Sequence, residues 1–315
     1  MMAQRVEGST DVFERGDIHW KQFNVNKWSA SSPPKPLQIF TPTVPGSYPV
    51  IVFCHGFCTR NTFYCQLLAH IVSHGFILVA PQLFCIRLPI CIGLPLLGPC
   101  EVNMATKVVD WLAKGLQPLL PEKVEANMEK VVLSGHSKGG KTAFAVALDK
   151  QTSLKISALI GIDPVAGSSK NCETCPRILT HVPQSFNLNM PVAVIGTGLG
   201  PDKGSWWTPA CAPDGMNHKE FFDECKPPRA HFVVSNFGHM DMLDDETGGV
   251  CGTCLSKCIC KKGSDPRELM RRTIGGLVVA FLRAHLNGHF EDFYSVLRDP
   301  GLAPTTLDQV AYFPA

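Results

Sequence analysis

The chain has 315 residues, of which 45% are hydrophobic and 18% are charged, and its formal net charge is +2. These proportions are typical of a globular protein with a well-buried core, and so small a net charge gives no electrostatic basis for binding nucleic acid. The 14 cysteines are too sparse for a disulfide-dense scaffold. An α/β fold of this length commonly forms one unit, so we expect a single domain over residues 1–315 with a flexible N-terminal segment over residues 1–15.

Residues 1–8 contain no apolar core of signal-peptide length, and their acidic residue argues against a typical transit peptide. We therefore expect an intracellular protein. The most apolar stretch, residues 83–100, carries Arg87 and three prolines. Because a helix in lipid must satisfy its own backbone hydrogen bonds and prolines interrupt them, this stretch is not predicted to span a membrane.

Strands and helices are predicted to alternate along the chain. The predicted strands cover residues 20–25, 37–42, 49–54, 76–81, 156–162, 191–196 and 231–235, with a further apolar strand ending near Leu133. The predicted helices cover residues 62–74, 102–116, 141–148 and 265–286. This alternation favours the α/β class, with a mainly parallel central sheet and helices on both faces.

The segment Gly135-His136-Ser137-Lys138-Gly139 has the Gly-x-Ser-x-Gly pattern of a nucleophile elbow. A β-branched run precedes it and a helix-forming stretch follows it, which is the strand-turn-helix context that the pattern requires. Glycines are needed on either side because a serine in so tight a turn leaves no room for neighbouring side chains. The segment therefore predicts the α/β-hydrolase fold, with Ser137 as a covalent nucleophile.

A serine hydroxyl is a poor nucleophile at neutral pH and needs a histidine base that an acid orients. In the α/β-hydrolase order the histidine comes last, in the loop after a late strand. His239 stands in that place, just after the predicted strand 231–235. His231 begins the same strand at its other end and His218 lies in a polar loop, so both are weaker candidates for the base.

Two aspartates compete for the role of the orienting acid. Asp202 stands at the usual position, after the second strand beyond the elbow strand. Asp163 directly follows the first strand beyond the elbow strand, which is expected to lie next to it in the sheet. A carboxylate at the end of an apolar run needs a partner to offset its desolvation, and a histidine N–H supplies one. We favour Asp163 and keep Asp202 as the alternative, since Asp241 is too close to His239 along the chain.

The oxyanion hole is predicted to consist of two main-chain N–H groups. One belongs to Lys138, the residue after the nucleophile, and the other to Phe57 in the loop after strand 49–54. Gly56 would allow the backbone of that loop to turn inwards. The alternative is that this loop is an ordinary glycine turn with no catalytic role.

Four cysteines fall within ten residues near the C-terminal end of the chain. They are Cys251, Cys254, Cys258 and Cys260. Their spacing matches no common zinc module, so no metal site is predicted, and disulfide bonding is favoured while zinc and free thiols stay open. Cys54, Cys65 and Cys85 lie in apolar surroundings and are expected to be core thiols.

Residues 135–140, 161–165, 212–218 and 238–244 together resemble four blocks of a known family, the plant chlorophyllases. In that family arginine often occupies the position of Lys138. The resemblance extends from about residue 51 to the C-terminal helix. It implies a serine esterase that cleaves the phytyl ester of chlorophyll into chlorophyllide and phytol, with Ser137, Asp163 and His239 as the triad.

The resemblance also implies a chloroplast location and favours Asp163 over Asp202 as the acid. No cofactor is expected. A general carboxylesterase or lipase of the same fold is the alternative function, acting on other apolar esters. A binding protein without activity is the third hypothesis, and it is disfavoured because serine, histidine and aspartate are all present.

Residues 83–97 are predicted to form a long, apolar, lid-like loop at the sheet edge that carries the active site. An irregular apolar segment of this kind typically binds something apolar, here a macrocycle, an isoprenoid tail or a membrane surface in peripheral contact. A loop packed under the cysteine-rich segment is the alternative. The predicted substrate-binding residues are Gly56, Ile86, Leu88, Ile90, Leu94, Leu96 and Leu97.

Overall fold

A nine-stranded sheet runs through the computed structural model, which describes residues 10–26, 32–83, 98–247 and 260–315. The strands lie in the order β1-β2-β4-β3-β5-β6-β7-β8-β9. Their bounds are β1 Trp20–Val25, β2 Leu37–Pro42, β3 Gly46–Cys54, β4 Ile77–Pro81, β5 Val124–His136, β6 Ile156–Ile162, β7 Val192–Thr197, β8 Arg229–Val234 and β9 Leu307–Phe313.

The central strands β4, β3, β5, β6, β7 and β8 are parallel, whereas β1, β2 and β9 are antiparallel additions at the two sides. This arrangement confirms the predicted mainly parallel sheet and is consistent with the α/β-hydrolase fold. Because parallel strands end at the same edge, the loops after β3, β5, β6, β7 and β8 all emerge together.

Six helices pack on the sheet in the part of the chain that the structure describes. They are α1 Cys65–Val72, α2 Gly98–Gly115, α3 Lys138–Asp149, α4 His218–Glu224, α5 Arg267–Asn287 and α6 Glu291–Arg298. The core on one face contains side chains of α1, α5 and α6, and the core on the other contains side chains of α2, α3 and α4. Strand β3 supplies both, since Ile51 and Phe53 point to the first core while Val50 and Val52 point to the second. The predicted helices on both faces are confirmed.

The predicted strands and helices match the observed ones in place and order, but α4, α6 and β9 were not predicted. Helix α4 carries a capping box in which Asn217 accepts from the helix backbone and Glu220 accepts from the Asn217 N–H. Helix α1 is shorter than the predicted span 62–74, because residues Asn61–Phe63 form a 3-10 turn before it. The carboxylate of Asp244 then accepts the first helical N–H groups, at 2.9 Å from Cys65 and 2.8 Å from Gln66.

The segment predicted to be flexible is partly core. Val12 and Phe13 are buried among the residues that pack with α5, and Gly276 of that helix is needed there because an added Cβ would lie 2.3 Å from the Phe13 ring. Residues 10–15 therefore belong to the packed fold, because two large apolar side chains are removed from water. Residues 1–9 lie outside the described part of the chain.

Cys260 forms a disulfide with Cys211, a partner that the sequence did not indicate. The other cysteines of its cluster, Cys251, Cys254 and Cys258, lie outside the described residues. Cys54 is a buried free thiol, as predicted, and burial raises its pKa to about 12. Within the described ranges no helix is both long enough and apolar enough to cross a membrane.

Candidate active site

Ser137 occupies the turn between β5 and α3, with φ 57° and ψ −128°. A non-glycine residue with positive φ is strained, and such strain is typical of functional sites. The turn packs tightly on the end of β3, since a Cβ on Gly139 would lie 2.2 Å from the Cys54 carbonyl oxygen. A Cβ on Gly135 would lie 2.4 Å from the Gly139 carbonyl oxygen. The glycines therefore allow β3, β5 and α3 to meet and leave the serine at the carboxyl edge of the sheet.

Ser137, His239 and Asp163 form one hydrogen-bonded line. The His239 Nε2 atom lies 2.8 Å from Ser137 Oγ, and the His239 Nδ1 atom lies 2.7 Å from Asp163 Oδ2. The carboxylate only accepts, so Nδ1 of His239 carries a hydrogen and donates it to Asp163. In the tautomer with its hydrogen on Nδ1 alone, Nε2 accepts the serine proton. This tautomer is the one that general-base catalysis by His239 requires.

Asp163 is fully buried at the end of β6, next to the elbow strand. Its carboxylate also accepts from Thr197, whose hydroxyl lies 2.7 Å from Oδ2 and whose N–H lies 3.2 Å from Oδ1. Burial alone would raise the pKa of Asp163, but the hydrogen bond and charge of His239 lower it, and the net pKa is below its ordinary value. The acid is therefore an anion facing the imidazole.

The competing candidates lie elsewhere. Asp202 is exposed in the loop after β7. Asp241 braces the His239 loop instead, because its carboxylate accepts the N–H of Gly238 and that of Gly263, each at 2.7 Å. The ring nitrogens of His218 and His231 are 2.9 Å apart in a buried pair, so neither faces Ser137 Oγ as His239 does.

The loop after β3 lies against the nucleophile. A Cβ on Gly56 would lie 3.3 Å from Ser137 Cβ, so a larger residue would crowd the serine. His55 fixes this loop by donating from Nδ1 to the Gly56 carbonyl at 2.9 Å and accepting the Leu83 N–H at Nε2 over 3.1 Å. Burial lowers the pKa of His55 to about 4, so its ring is neutral at physiological pH.

A second hydrogen-bonded chain links this loop to the His239 loop. The Gly56 N–H donates to the Tyr64 hydroxyl at 3.0 Å, and that hydroxyl lies 2.8 Å from His136 Nδ1. The Nε2 atom of His136 lies 2.9 Å from the carbonyl oxygen of His239. Tyr64 and His136 are fully buried, and neither was predicted to have a role. The position of His136 inside the elbow was the one signal that it would lie near the site.

An ion pair lies on the other side of Ser137. The Lys138 Nζ atom is 2.7 Å from Glu101 Oε1, and both side chains are almost completely buried. The same Nζ lies 5.3 Å from the centre of the Phe57 ring, so α2, α3 and the loop after β3 meet at one cation. Burial raises the pKa of Glu101 and Lys138 opposes that rise.

The predicted site residues are thus brought together in part. Ser137, Asp163 and His239 contact one another, and Gly56, Phe57 and Lys138 surround them. Other predicted substrate contacts lie outside the described residues. They are Ile86, Leu88, Ile90, Leu94, Leu96 and Leu97.

The fold and this constellation define a hydrolase of the α/β-hydrolase class. A sequence model of the Chlorophyllase family matches residues 8–314. Chlorophyllase-1 of Arabidopsis thaliana is 50% identical, over 94% of this chain and 91% of its own length. Chlorophyllase-2 of the same plant is 49% identical over 82% of this chain and 80% of its own length. Chlorophyllase-1, chloroplastic, of Citrus unshiu is 47% identical over 96% of this chain and 89% of its own length.

The chain therefore belongs to the chlorophyllase family. It is an enzyme of the ester hydrolase class, as the resemblance implied.

Proposed function

We propose that this protein hydrolyses the phytyl ester of chlorophyll, with Ser137 as nucleophile, His239 as general base and Asp163 as the orienting acid. The hydrogen-bonded line from Ser137 Oγ through His239 to the Asp163 carboxylate, in a chain of the chlorophyllase family, is the observation that supports it most strongly. Family membership supports the substrate class, and the geometry of the line supports the roles.

In the proposed reaction Ser137 Oγ attacks the ester carbonyl while its proton moves to His239 Nε2. The tetrahedral intermediate collapses, and phytol leaves with the proton from His239 Nε2, which leaves an acyl-enzyme. Water then attacks the acyl-enzyme, giving its proton to His239, and chlorophyllide leaves as the acid while Ser137 regains its hydrogen. Asp163 stabilises the imidazolium that forms in each half of the reaction.

The oxyanion of each tetrahedral intermediate would be bound by the main-chain N–H groups of Lys138 and Phe57. Lys138 is the first residue of α3, at the end of the helix where the dipole favours a negative charge. The fixed loop at Gly56 supports the second donor. Two such N–H groups stabilise the charge that develops in the transition state.

The apolar segment 83–97 and peripheral contact with a membrane are also part of the proposal. Their support is the apolar sequence and the hydrophobic phytyl chain of the substrate. Replacing Leu94, Leu96 and Leu97 with serine is expected to raise KM for a phytyl ester more than for a short acyl ester. A chloroplast location is proposed from the resemblance and from the name of the Citrus unshiu relative, which calls that protein chloroplastic.

The test compares pure protein on detergent-dispersed chlorophyll and on a short acyl ester, with Ser137→Ala as the matched inactive control. We expect release of chlorophyllide and phytol in equal amounts, with a kcat/KM for chlorophyll above that for the short ester. Cleavage of the short ester alone would replace the proposal with a general carboxylesterase. Trapping of an acyl group on Ser137 by rapid quenching and mass spectrometry tests the covalent step.

A further inference from the structure

Two adjacent tryptophans project from the loop after β7. Trp206 is 91% exposed and Trp207 is 69% exposed, more than any other large hydrophobic side chain in the described part of the chain. Their exposed rings contribute little to the stability of the fold. Adjacent exposed aromatic side chains are typical of a surface that binds a partner.

The base of this loop is firmly held. Gly198 N–H donates to the Val234 carbonyl at 2.8 Å, and Ala212 N–H donates to the Gly200 carbonyl at 3.0 Å. The disulfide from Cys211 to Cys260 joins the returning strand of the loop to a distant segment. The tryptophans are therefore presented on an anchored loop.

The loop stands at the same sheet edge as the nucleophile. A Cβ on Gly200, at the base of the loop, would lie 3.1 Å from Asp163 Oδ2. Trp206 is six residues further along, which puts it within about 20 Å of that base even for a fully extended chain. A partner bound at the tryptophans would therefore lie close to the opening of the site.

Exposed lysines accompany the tryptophans. The backbone of Lys203 forms isolated bridges with Ala210 and with Cys260, and Cys260 is followed directly by Lys261 and Lys262. All three lysines are exposed, as are the acids nearest to them in sequence, Asp202 and Asp265. Indole rings favour the interfacial layer of a bilayer, and lysines at the same surface favour anionic headgroups.

We propose that Trp206 and Trp207 insert into the headgroup layer of an anionic lipid bilayer, with Lys203, Lys261 and Lys262 against the headgroups. The protein would then lie on the membrane surface with the opening of the Ser137 site towards the lipid. Membrane binding would bring the site to its substrate, since chlorophyll with its phytyl tail dissolves in membranes. This benefit rests on the proposed function. The binding itself needs no turnover.

The experiment is sedimentation of full-length protein with vesicles, carried out in Ser137→Ala so that catalysis plays no part. The vesicles are pure phosphatidylcholine or an equal mixture of phosphatidylcholine and phosphatidylglycerol. We expect the double variant Trp206→Ser/Trp207→Ser to bind the mixed vesicles about tenfold more weakly or worse. The triple variant Lys203→Gln/Lys261→Gln/Lys262→Gln should bind mixed vesicles about tenfold more weakly. Its binding to pure phosphatidylcholine should change little.

Phe313→Ser is the matched control, because Phe313 is an exposed aromatic residue paired with the start of β8, at the opposite sheet edge. Its binding should equal that of the parent, and thermal unfolding of each variant checks the fold. Unchanged binding after loss of both tryptophans would overturn the proposal, as would equal losses in Phe313→Ser. A change in oligomeric state in the double variant would assign the tryptophans to a second copy of the chain and also overturn it. Failure of the proposed function would appear separately, as absence of chlorophyll cleavage in detergent.

A second inference comes from the buried chain through Tyr64 and His136. A carbonyl oxygen can only accept, so His136 Nε2–H donates to the His239 carbonyl and His136 Nδ1 accepts the Tyr64 proton. The Tyr64 hydroxyl then accepts from Gly56 N–H. One chain with a single arrangement of protons thereby connects the Gly56 loop, the elbow and the His239 loop.

We infer that His136 is a positioning residue, which fixes the main chain of His239 and hence the distance from Nε2 to Ser137 Oγ. The rings of His136 and His239 also pack together, with centres 4.6 Å apart. Burial keeps the pKa of His136 well below its ordinary value, so no second positive charge faces His239 when it is protonated. Small displacements of a base are costly to catalysis because reacting atoms must be closely aligned.

The variants His136→Leu and His136→Gln separate positioning from packing, since the glutamine amide still donates to the His239 carbonyl. We expect His136→Leu to lower kcat by about 10²-fold with KM nearly unchanged, and His136→Gln to recover most of that loss. His70 is the matched control, because its Nε2 lies 2.8 Å from the Val12 carbonyl in a buried setting on α1. His70→Leu should lower the unfolding temperature and leave kcat within about twofold. Equal kcat losses in both His136 variants, or a loss confined to the unfolding temperature, would overturn the inference.

Discussion

The two residues that flank Ser137 belong to networks of different kinds. On one side His136 joins a neutral chain with Tyr64 and Gly56. On the other, Lys138 pairs with Glu101 at 2.7 Å in an ionic contact. The neutral chain connects the Gly56 loop, the elbow and the His239 loop, whereas the ion pair joins α2 to α3. A neutral neighbour leaves the charge balance of His239 and Asp163 undisturbed, and a buried cation is tolerated where its own carboxylate neutralises it.

The largest effect is expected at Ser137, the residue between the two networks. Ser137→Ala should lower kcat for ester hydrolysis by roughly 10⁴-fold or more, because the nucleophile is removed while both flanking networks stay in place. Steady-state kinetics on a short acyl ester, with thermal unfolding as the check on the fold, measure it. Retention of a tenth of the activity would show that Ser137 is not the nucleophile.

The next largest effect is expected at Asp163, the proposed orienting acid. Asp163→Asn is expected to lower kcat by about 10²- to 10⁴-fold, because the imidazole loses both its orientation and the charge that stabilises its protonated form. The matched control is Asp202→Asn, an exposed carboxylate in the loop after β7, which should be near neutral. Greater sensitivity at Asp202 would move the acid to that loop.

The ion pair of Glu101 with Lys138 should affect the free energy of unfolding. Glu101→Ala leaves Lys138 buried without its carboxylate, and we expect a loss of about 3 kcal/mol in the free energy of unfolding, measured in urea. The double variant Glu101→Leu/Lys138→Met removes both charges and should recover most of that loss, since a buried pair replaced by apolar side chains is often near neutral. A double variant as unstable as the single one would contradict this interpretation of the ion pair.

The smallest expected effect is a pH dependence from histidines that are buried in the neutral form. Burial lowers the pKa of His55 to about 4 and that of His231 to about 3, from the ordinary 6.5. Below pH 6.5 the unfolded chain binds protons that the folded chain refuses, so stability should fall as the pH drops towards 4. Asp163 has a lowered pKa and adds its loss only at lower pH, below its ordinary value of 3.8.

Unfolding midpoints measured between pH 7 and pH 4 (about the window set by these histidines) test this dependence. His231→Gln keeps a hydrogen-bond partner for His218 but cannot titrate, so its stability should decline less steeply. An identical slope in the variant and the parent would remove His231 from the explanation.

The fold class of the protein could be predicted from local sequence patterns. The elbow and the alternation of strands and helices predicted the α/β class, and the resemblance of four sequence blocks implied the family; both were confirmed. The elbow and the alternation are readable because they depend on neighbours in sequence. A Cβ on Gly135 would lie 2.4 Å from the Gly139 carbonyl oxygen within the same turn, and apolar runs follow the strand and helix periods. The roles of Ser137, Asp163 and His239 stay predictions that the kinetics above test.

Contacts between distant segments were decided by the tertiary structure alone. The pairing of Cys211 with Cys260, the capping of α1 by Asp244, and the ion pair of Glu101 with Lys138 join residues far apart in sequence. No local pattern distinguishes such partners from other residues of the same type, because each contact exists only once the sheet has brought its strands into register. The sequence by itself thus determined the fold class and the elbow turn after β5, and the tertiary structure decided which buried groups pack around that turn.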